Sequence, residues 1–149
     1  MTKGEQKKED RMIIKEYVGE ELSNAHRVAD IFQKILASEH ETDRDKEHFW
    51  TAGLNTKNRI KYIELVSLGT LSNAMIHPRE VFRFAVMNAT AQLIVAHNHP
   101  SGDPSPSCDD IAITERLKSA GEIMGIALLD HVIIGNEGAF VSMKDLGHL

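Results

Sequence analysis

Two histidines and an aspartate lie close together in the stretch 97–110, which reads HNHPSGDPSPSCDD. His97 and His99 are one residue apart, directly after an apolar run, and Asp110 follows on the far side of a proline-rich segment. Because side chains alternate along a strand, the two imidazoles fall on one face and aim at a common point. Two neutral imidazoles and one carboxylate, with a fourth position left to water, are typical of a catalytic zinc site. The spacing therefore predicts a metal centre formed by His97, His99 and Asp110.

The chemistry of this residue set favours hydrolysis. A zinc ion in such a site lowers the pKa of a bound water to about 7, which produces a nucleophile at neutral pH. The same ligand types also suit non-haem iron, so an iron oxygenase is an alternative. Ser107-x-x-Asp110 is in addition a capping box, which starts a helix and has no catalytic content. A serine hydrolase built on Ser107 with a His and an Asp is a further alternative.

Local elements on both sides of the stretch position these side chains. The apolar run 92–96 predicts a buried strand that leads into His97. The prolines that follow end this strand and stiffen a loop. Ser107 predicts the N-cap of a helix that ends at Gly125. Since Cβ bonds tilt toward the N-terminus of a helix, Asp110 in the first turn is directed back toward the loop.

The remaining chain alternates predicted helices and strands. The predicted elements are a helix over 23–38, a polar connector over 40–46, strands over 47–54 and 59–68 joined by a turn over 55–58, a short segment over 72–76, a helix from Pro78, and strands over 126–135 and 139–142. Residues 1–22 are predicted as a charged N-terminal tail that ends in an edge strand or docking segment, and 23–149 as one domain. The alternation predicts an α/β (α+β) fold in which a mixed β-sheet packs between helices.

The motif carries a specific resemblance. His97-x-His99, seven residues, Ser107, two residues, Asp110 resembles the JAMM metal motif of the JAB1/MPN metalloprotease-like domains. The fuller form HNHPSGDPSPS is similar to the bacterial RadC-type branch, whose members are usually labelled DNA repair proteins, and the likeness extends over about 47–142. The resemblance implies a JAB1/MPN-like, cytidine-deaminase-like architecture. It also implies a Zn2+-dependent hydrolase of the peptidase or isopeptidase kind.

The resemblance further implies two catalytic residues. In JAMM enzymes a glutamate at the start of an early strand acts as general base, and Glu47 occupies the matching place. Spacing alone leaves Glu64, Glu80 and Glu115 open for the same task. Ser107 is expected to help bind the oxyanion or the metal water.

A polar pair lies inside a second apolar strand. Asp130 and His131 interrupt the predicted strand 126–135, where a buried charge needs a partner. Adjacent residues of a strand face opposite ways, so only one of the two can support the site. A hydrogen bond to a ligand imidazole is one hypothesis for it, and a structural pair with another strand is the alternative.

Composition limits the classes of function. The formal net charge is −5, whereas proteins that hold nucleic acid through its phosphates usually carry excess positive charge, so direct DNA binding is not expected. With 1 Cys, no apolar span and no secretory pattern at the N-terminus, we expect a cytoplasmic protein. Longer RadC-type proteins carry a helix-hairpin-helix region, and no such pattern precedes Ser23. An alternative function is a metal-binding accessory module of DNA repair or mobile-element biology that performs no turnover.

Overall fold

The computed structural model describes residues 13–69 and 76–149, and the strands of these ranges form one sheet. The elements in chain order are β1 (Ile13–Ile14), α1 (Ala25–Ala37), α2 (Glu41–Arg44), β2 (Glu47–Leu54), β3 (Ile60–Gly69), α3 (Pro78–Met87), β4 (Gln92–Asn98), α4 (Cys108–Met124), β5 (Ala127–Ile134) and β6 (Phe140–Ser142). Across the sheet the strand order is β1-β3-β2-β4-β5-β6. Only β4 and β5 pair in parallel among these strands, and the other pairs are antiparallel. The predicted mixed sheet is confirmed.

Helices cover both faces of this sheet. Helix α1 packs over a core that includes Trp50, Ala52 and Ile94. Helices α3 and α4 pack over the opposite face, where Phe49 and Val95 are buried. Successive side chains of β2 and β4 thus point to opposite faces of the sheet, as the pleat of a strand requires. The expectation that the sheet packs between helices is therefore confirmed.

The connection between β4 and β5 determines where the site lies. Strand β4 is flanked by β2 and β5, so it lies inside the sheet. Two parallel strands need a crossover, and α4 provides it. The stretch 97–110 begins at the carboxyl end of β4 and ends in the first turn of α4. In open sheets of this kind, ligands bind in the crevice beyond the carboxyl ends of the strands.

Most elements agree with those predicted from the sequence. The structure differs in the start of α1 and in the presence of α2. Helix α1 begins at Ala25 with Asn24 as its N-cap, because the Asn24 side chain accepts a 2.8 Å hydrogen bond from the Arg27 N–H. The prediction that Ser23 caps this helix was wrong by one residue. The polar connector also contains the one-turn helix α2, whose first turn is capped by the ring of His40.

The predicted N-terminal tail is described from residue 13 onward. Ile13 and Ile14 pair with β3 and form an edge strand, as predicted. Leu22 is buried against the core under α1, so residues 13–22 pack on the domain. The first twelve residues of the tail, and residues 72–75 of the predicted short segment, lie outside the described ranges. No helix in the described ranges has the length and apolarity needed to cross a bilayer.

Candidate metal centre

Strand β4 carries His97 into the interior of the protein. His97 is 1% exposed, and the ring of Phe49 from β2 stacks on its imidazole at 6.0 Å between centroids. His99 lies just beyond the strand, where its N–H donates to the Ile134 carbonyl at 2.9 Å. This bond keeps the backbone extended to His99. Both rings therefore remain on one side of the sheet, as the spacing predicts.

The loop after His99 is held against the turn between β5 and β6. Gly102 has a φ of 90°, a conformation that favours glycine, and its carbonyl accepts from the Asn136 N–H at 3.0 Å. A Cβ on Gly135 would lie 2.3 Å from the Gly102 oxygen, so the two backbones approach closely. Within the loop, Nδ1 of His99 lies 2.8 Å from the Asp103 carbonyl. Because a carbonyl can only accept, His99 donates there and turns Nε2 toward the centre.

Helix α4 presents the carboxylate. Ser107 is its N-cap, and its hydroxyl oxygen accepts the Asp110 N–H at 3.1 Å. In return, Oδ2 of Asp110 accepts the Ser107 N–H at 2.9 Å. The capping box predicted from Ser107-x-x-Asp110 is confirmed. It orients the Asp110 carboxylate back toward the loop, and the partial positive charge at the helix N-terminus also stabilises it.

These three elements bring their polar atoms together. Nε2 of His97 lies 3.1 Å from Nε2 of His99 and 3.1 Å from Oδ1 of Asp110, and Nε2 of His99 lies 3.0 Å from Oδ2 of Asp110. Ligand atoms 2.0–2.1 Å from a tetrahedral zinc ion lie about 3.3 Å apart. The observed spacing is close to one face of such a tetrahedron. His97, His99 and Asp110 could therefore hold a metal ion, and their chemistry fits zinc.

The electrostatics of the cluster are strongly coupled. Burial acts to raise the pKa of Asp110, but hydrogen bonds to His97 and His99 outweigh it and lower that pKa far below its usual range. The pKa of His99 is raised, chiefly by its hydrogen bond to Asp110. The carboxylate therefore stays ionised next to both imidazoles. An ionised carboxylate is the form that binds metal.

Glu47 is the first residue of β2 and lies two positions before Phe49, which pairs with His97 across β2 and β4. Residues two apart share a face, so the Glu47 side chain projects on the side of the sheet that carries His97. Its charge is among the causes that raise the pKa of His99. Of the other candidates, Glu64 lies on β3 with Glu80 and Arg83 of α3 as charged neighbours, and Glu115 is exposed on α4.

Asp130 and His131 have separate roles on opposite faces. Asp130 accepts hydrogen bonds from the Ser142 hydroxyl at 2.6 Å and the Lys144 N–H at 3.1 Å, so it joins β5 to the segment around β6. His131 is fully buried on the side of the site, with Nε2 2.7 Å from Nδ1 of His97. The structure thus contains both predicted arrangements: His131 contacts the imidazole of His97, and Asp130 pairs with Ser142 of β6.

The sequence reasoning missed Thr114. Its hydroxyl oxygen lies 2.6 Å from Nδ1 of His131 and donates to the Asp110 carbonyl at 2.8 Å. Thr114 follows Asp110 by one helical turn, so both share the helix face that is turned to the sheet. That spacing is the signal in the sequence that could have revealed it.

The sequence also matches a known protein family. A family model described as a RadC-like JAB domain matches residues 22–148. The chain belongs to the RadC-like JAB domain family. The family resemblance inferred from the motif is therefore confirmed.

Individual relatives of this RadC-like JAB domain are similar over the same region. A UPF0758 protein of Desulforudis audaxviator is 56% identical over 100 residues, which are 67% of this chain and 43% of the relative. A UPF0758 protein of Desulforamulus reducens is 50% identical over 112 residues, 75% of this chain and 49% of the relative. A UPF0758 protein of Methanosarcina mazei is 52% identical over 105 residues, which are 70% of this chain and 45% of the relative. The aligned part of the chain spans less than half the length of each of these relatives.

Proposed function

We propose that this RadC-like JAB domain is a zinc-dependent hydrolase that cleaves peptide or isopeptide bonds. The observation that supports it is the convergence of His97, His99 and Asp110 at the carboxyl end of β4, with 3.0–3.1 Å between neighbouring polar atoms. Three protein ligands are the set found in catalytic zinc sites, whereas structural sites are usually closed by four. Bound there, zinc supplies Lewis-acid chemistry and a water that ionises near neutral pH.

We assign the general base to Glu47. Its carboxylate projects on the side of the sheet that carries His97, and its charge acts on His99. A carboxylate in this place takes a proton from the attacking water and passes it to the leaving amine. Glu64, Glu80 and Glu115 lie on other elements, and Glu115 points to solvent.

We assign to Ser107 a hydrogen bond to the oxyanion that develops on the scissile carbonyl. A serine hydroxyl has one proton to donate and two lone pairs that accept. The Ser107 oxygen accepts the Asp110 N–H, and this bond leaves the hydroxyl proton as a donor. Capping and oxyanion binding are thus compatible in one side chain.

Glu47→Gln tests the proposed reaction. Zinc-loaded protein is screened against a library of peptides and isopeptides, with a chelator as the metal-removal arm and elemental analysis to count the bound metal. We expect Glu47→Gln to keep its zinc and to lose roughly a hundredfold to ten-thousandfold in turnover. Glu115→Gln is the matched control, because it removes an exposed glutamate from α4 and is expected to keep full activity.

The same measurements distinguish the hydrolase from the alternative functions. Iron in place of zinc would favour an oxygenase, and zinc without turnover would favour an accessory metal-binding module. Direct DNA binding is tested by retention on duplex DNA over a range of salt concentrations. The net charge of −5 predicts no retention at physiological ionic strength.

A further inference from the structure

A chain of hydrogen bonds lies behind His97 and ends on the backbone of Asp110. Nδ1 of His97 lies 2.7 Å from Nε2 of His131, and Nδ1 of His131 lies 2.6 Å from the Thr114 hydroxyl. That hydroxyl lies 2.8 Å from the Asp110 carbonyl oxygen. His131 and Thr114 are both 0% exposed. The chain therefore connects two of the proposed metal ligands through the protein interior.

The direction of each bond follows from counting protons. The Asp110 carbonyl can only accept, so the Thr114 hydroxyl donates to it. A hydroxyl has one proton, and Thr114 must therefore accept from Nδ1–H of His131. Full burial favours the neutral imidazole, which has one N–H, so Nε2 of His131 carries no proton and accepts from His97.

The same reasoning identifies which imidazole nitrogens face the metal position. His97 donates from Nδ1–H, so its Nε2 is the nitrogen that faces Asp110 and His99, where a bound metal would take the place of a proton. His99 is oriented in the same way, because its Nδ1–H donates to the Asp103 carbonyl and its Nε2 faces the site. The reverse order would place a proton on Nε2 of His97 and would leave the 2.8 Å contact between Thr114 and the Asp110 carbonyl without a proton.

We propose that His131 and Thr114 are positioning residues that hold His97 in the tautomer whose Nε2 can bind the metal. The proposal rests on the proposed metal site and deepens it. The proton order from His97 through His131 to Thr114 is measurable in the zinc-loaded protein, separately from any turnover. Hydrogen bonds to the far nitrogen of a ligating imidazole fix its ring orientation, and their loss typically weakens metal binding tenfold to a hundredfold.

Thr114→Val and Thr114→Ser separate this role from packing. Valine keeps the shape of threonine but cannot accept from His131, so the buried Nδ1–H would lose its partner. We expect the proton of His131 to move to Nε2, the proton of His97 to move to its own Nε2, and zinc affinity to fall about tenfold to a hundredfold. Serine keeps the hydroxyl and loses a methyl group, and we expect it to retain wild-type affinity. A packing role predicts the opposite ranking.

Two measurements test the positioning role of His131 and Thr114. Two-bond nitrogen–proton NMR of the histidine rings in the zinc-loaded protein reports which nitrogen carries each proton. Chelator competition then gives the zinc affinity of wild type and both variants. A His97 Nδ1 that carries no proton in the zinc-loaded wild type, or a Thr114→Val affinity within twofold of wild type, would overturn the proposal. A wild type with the expected tautomer and zinc affinity but no hydrolysis would overturn the proposed function alone.

Discussion

At the scale of single residues, most side chains of the site perform two tasks at once. Asp110 closes a capping box with Ser107 and also faces both histidines. His97 faces the metal position through one nitrogen and His131 through the other. Substitutions that remove one of the two interactions and keep the other are therefore more informative than substitutions to alanine.

Ser107→Asn separates capping from catalysis. Asparagine is as good an N-cap as serine, so we expect the stability of α4 to be retained, whereas Ser107→Ala costs about 1 kcal/mol. Both variants lack the hydroxyl, and we expect both to lose hydrolytic rate. Urea unfolding and turnover are measured on the same preparations. Full activity in Ser107→Asn would remove the oxyanion role from Ser107.

Glu64 provides a pH-dependent prediction away from the metal ligands. Burial raises its pKa above the usual 4.5, although Arg83 acts in the opposite direction. A carboxyl with a raised pKa in the folded state contributes stability below its unfolded pKa and loses it as pH rises through the folded pKa. We therefore expect Glu64→Gln to be more stable than wild type at neutral pH, and this advantage to disappear below pH 4.5.

The measurement for Glu64 is urea unfolding at a series of pH values. Glu115→Gln serves as the control, because this exposed glutamate is expected to leave the curve unchanged. A Glu64→Gln variant that is less stable than wild type at neutral pH would show that the charge attraction of Arg83 outweighs burial.

At the scale of elements, the site depends on the packing of one loop against one turn. The loop after β4 is held by the Asn136 N–H and by the close approach of Gly135 to Gly102 and Pro104. The sequence indicated the stiff loop through its prolines. It did not indicate the turn between β5 and β6 as the partner, because that contact joins segments more than thirty residues apart.

Gly135→Ala tests this packing. A Cβ there would lie 2.3 Å from the Gly102 oxygen and 3.0 Å from Pro104, so backbone must shift. We expect a loss of stability of about 1–3 kcal/mol and weaker zinc binding, because the loop carries His99. Gly138→Ala on the same turn is the control. Its Cβ meets open space, so it costs about 1–2 kcal/mol of left-handed strain and leaves zinc affinity unchanged.

At the scale of the whole molecule, the proposed site draws its residues from separate elements of the chain. His97 and His99 belong to β4 and its loop, Asp110 to α4, and Glu47 to β2. A ligand that binds only the folded arrangement stabilises the whole domain by mass action. Metal occupancy is therefore expected to be visible in global unfolding.

Zinc at a hundredfold excess over its dissociation constant is expected to raise the free energy of unfolding by about 2.7 kcal/mol. Excess chelator should reverse the effect, and thermal unfolding with and without it provides the measurement. His97→Ala is expected to unfold at the same temperature in both conditions. An equal zinc-dependent shift in His97→Ala would mean that the metal binds elsewhere.

The sequence by itself determined the strand, loop and helix that carry His97, His99, Ser107 and Asp110, because alternation, proline and capping act between residues within a turn or two of one another. It also identified the family through the same short motif. Only the tertiary structure decided that Glu47 lies on the face of His97, that His131 rather than Asp130 supports the site, and that Thr114 completes the hydrogen-bonded chain. These facts depend on strand register and helix docking, which are set by contacts between residues far apart in the chain.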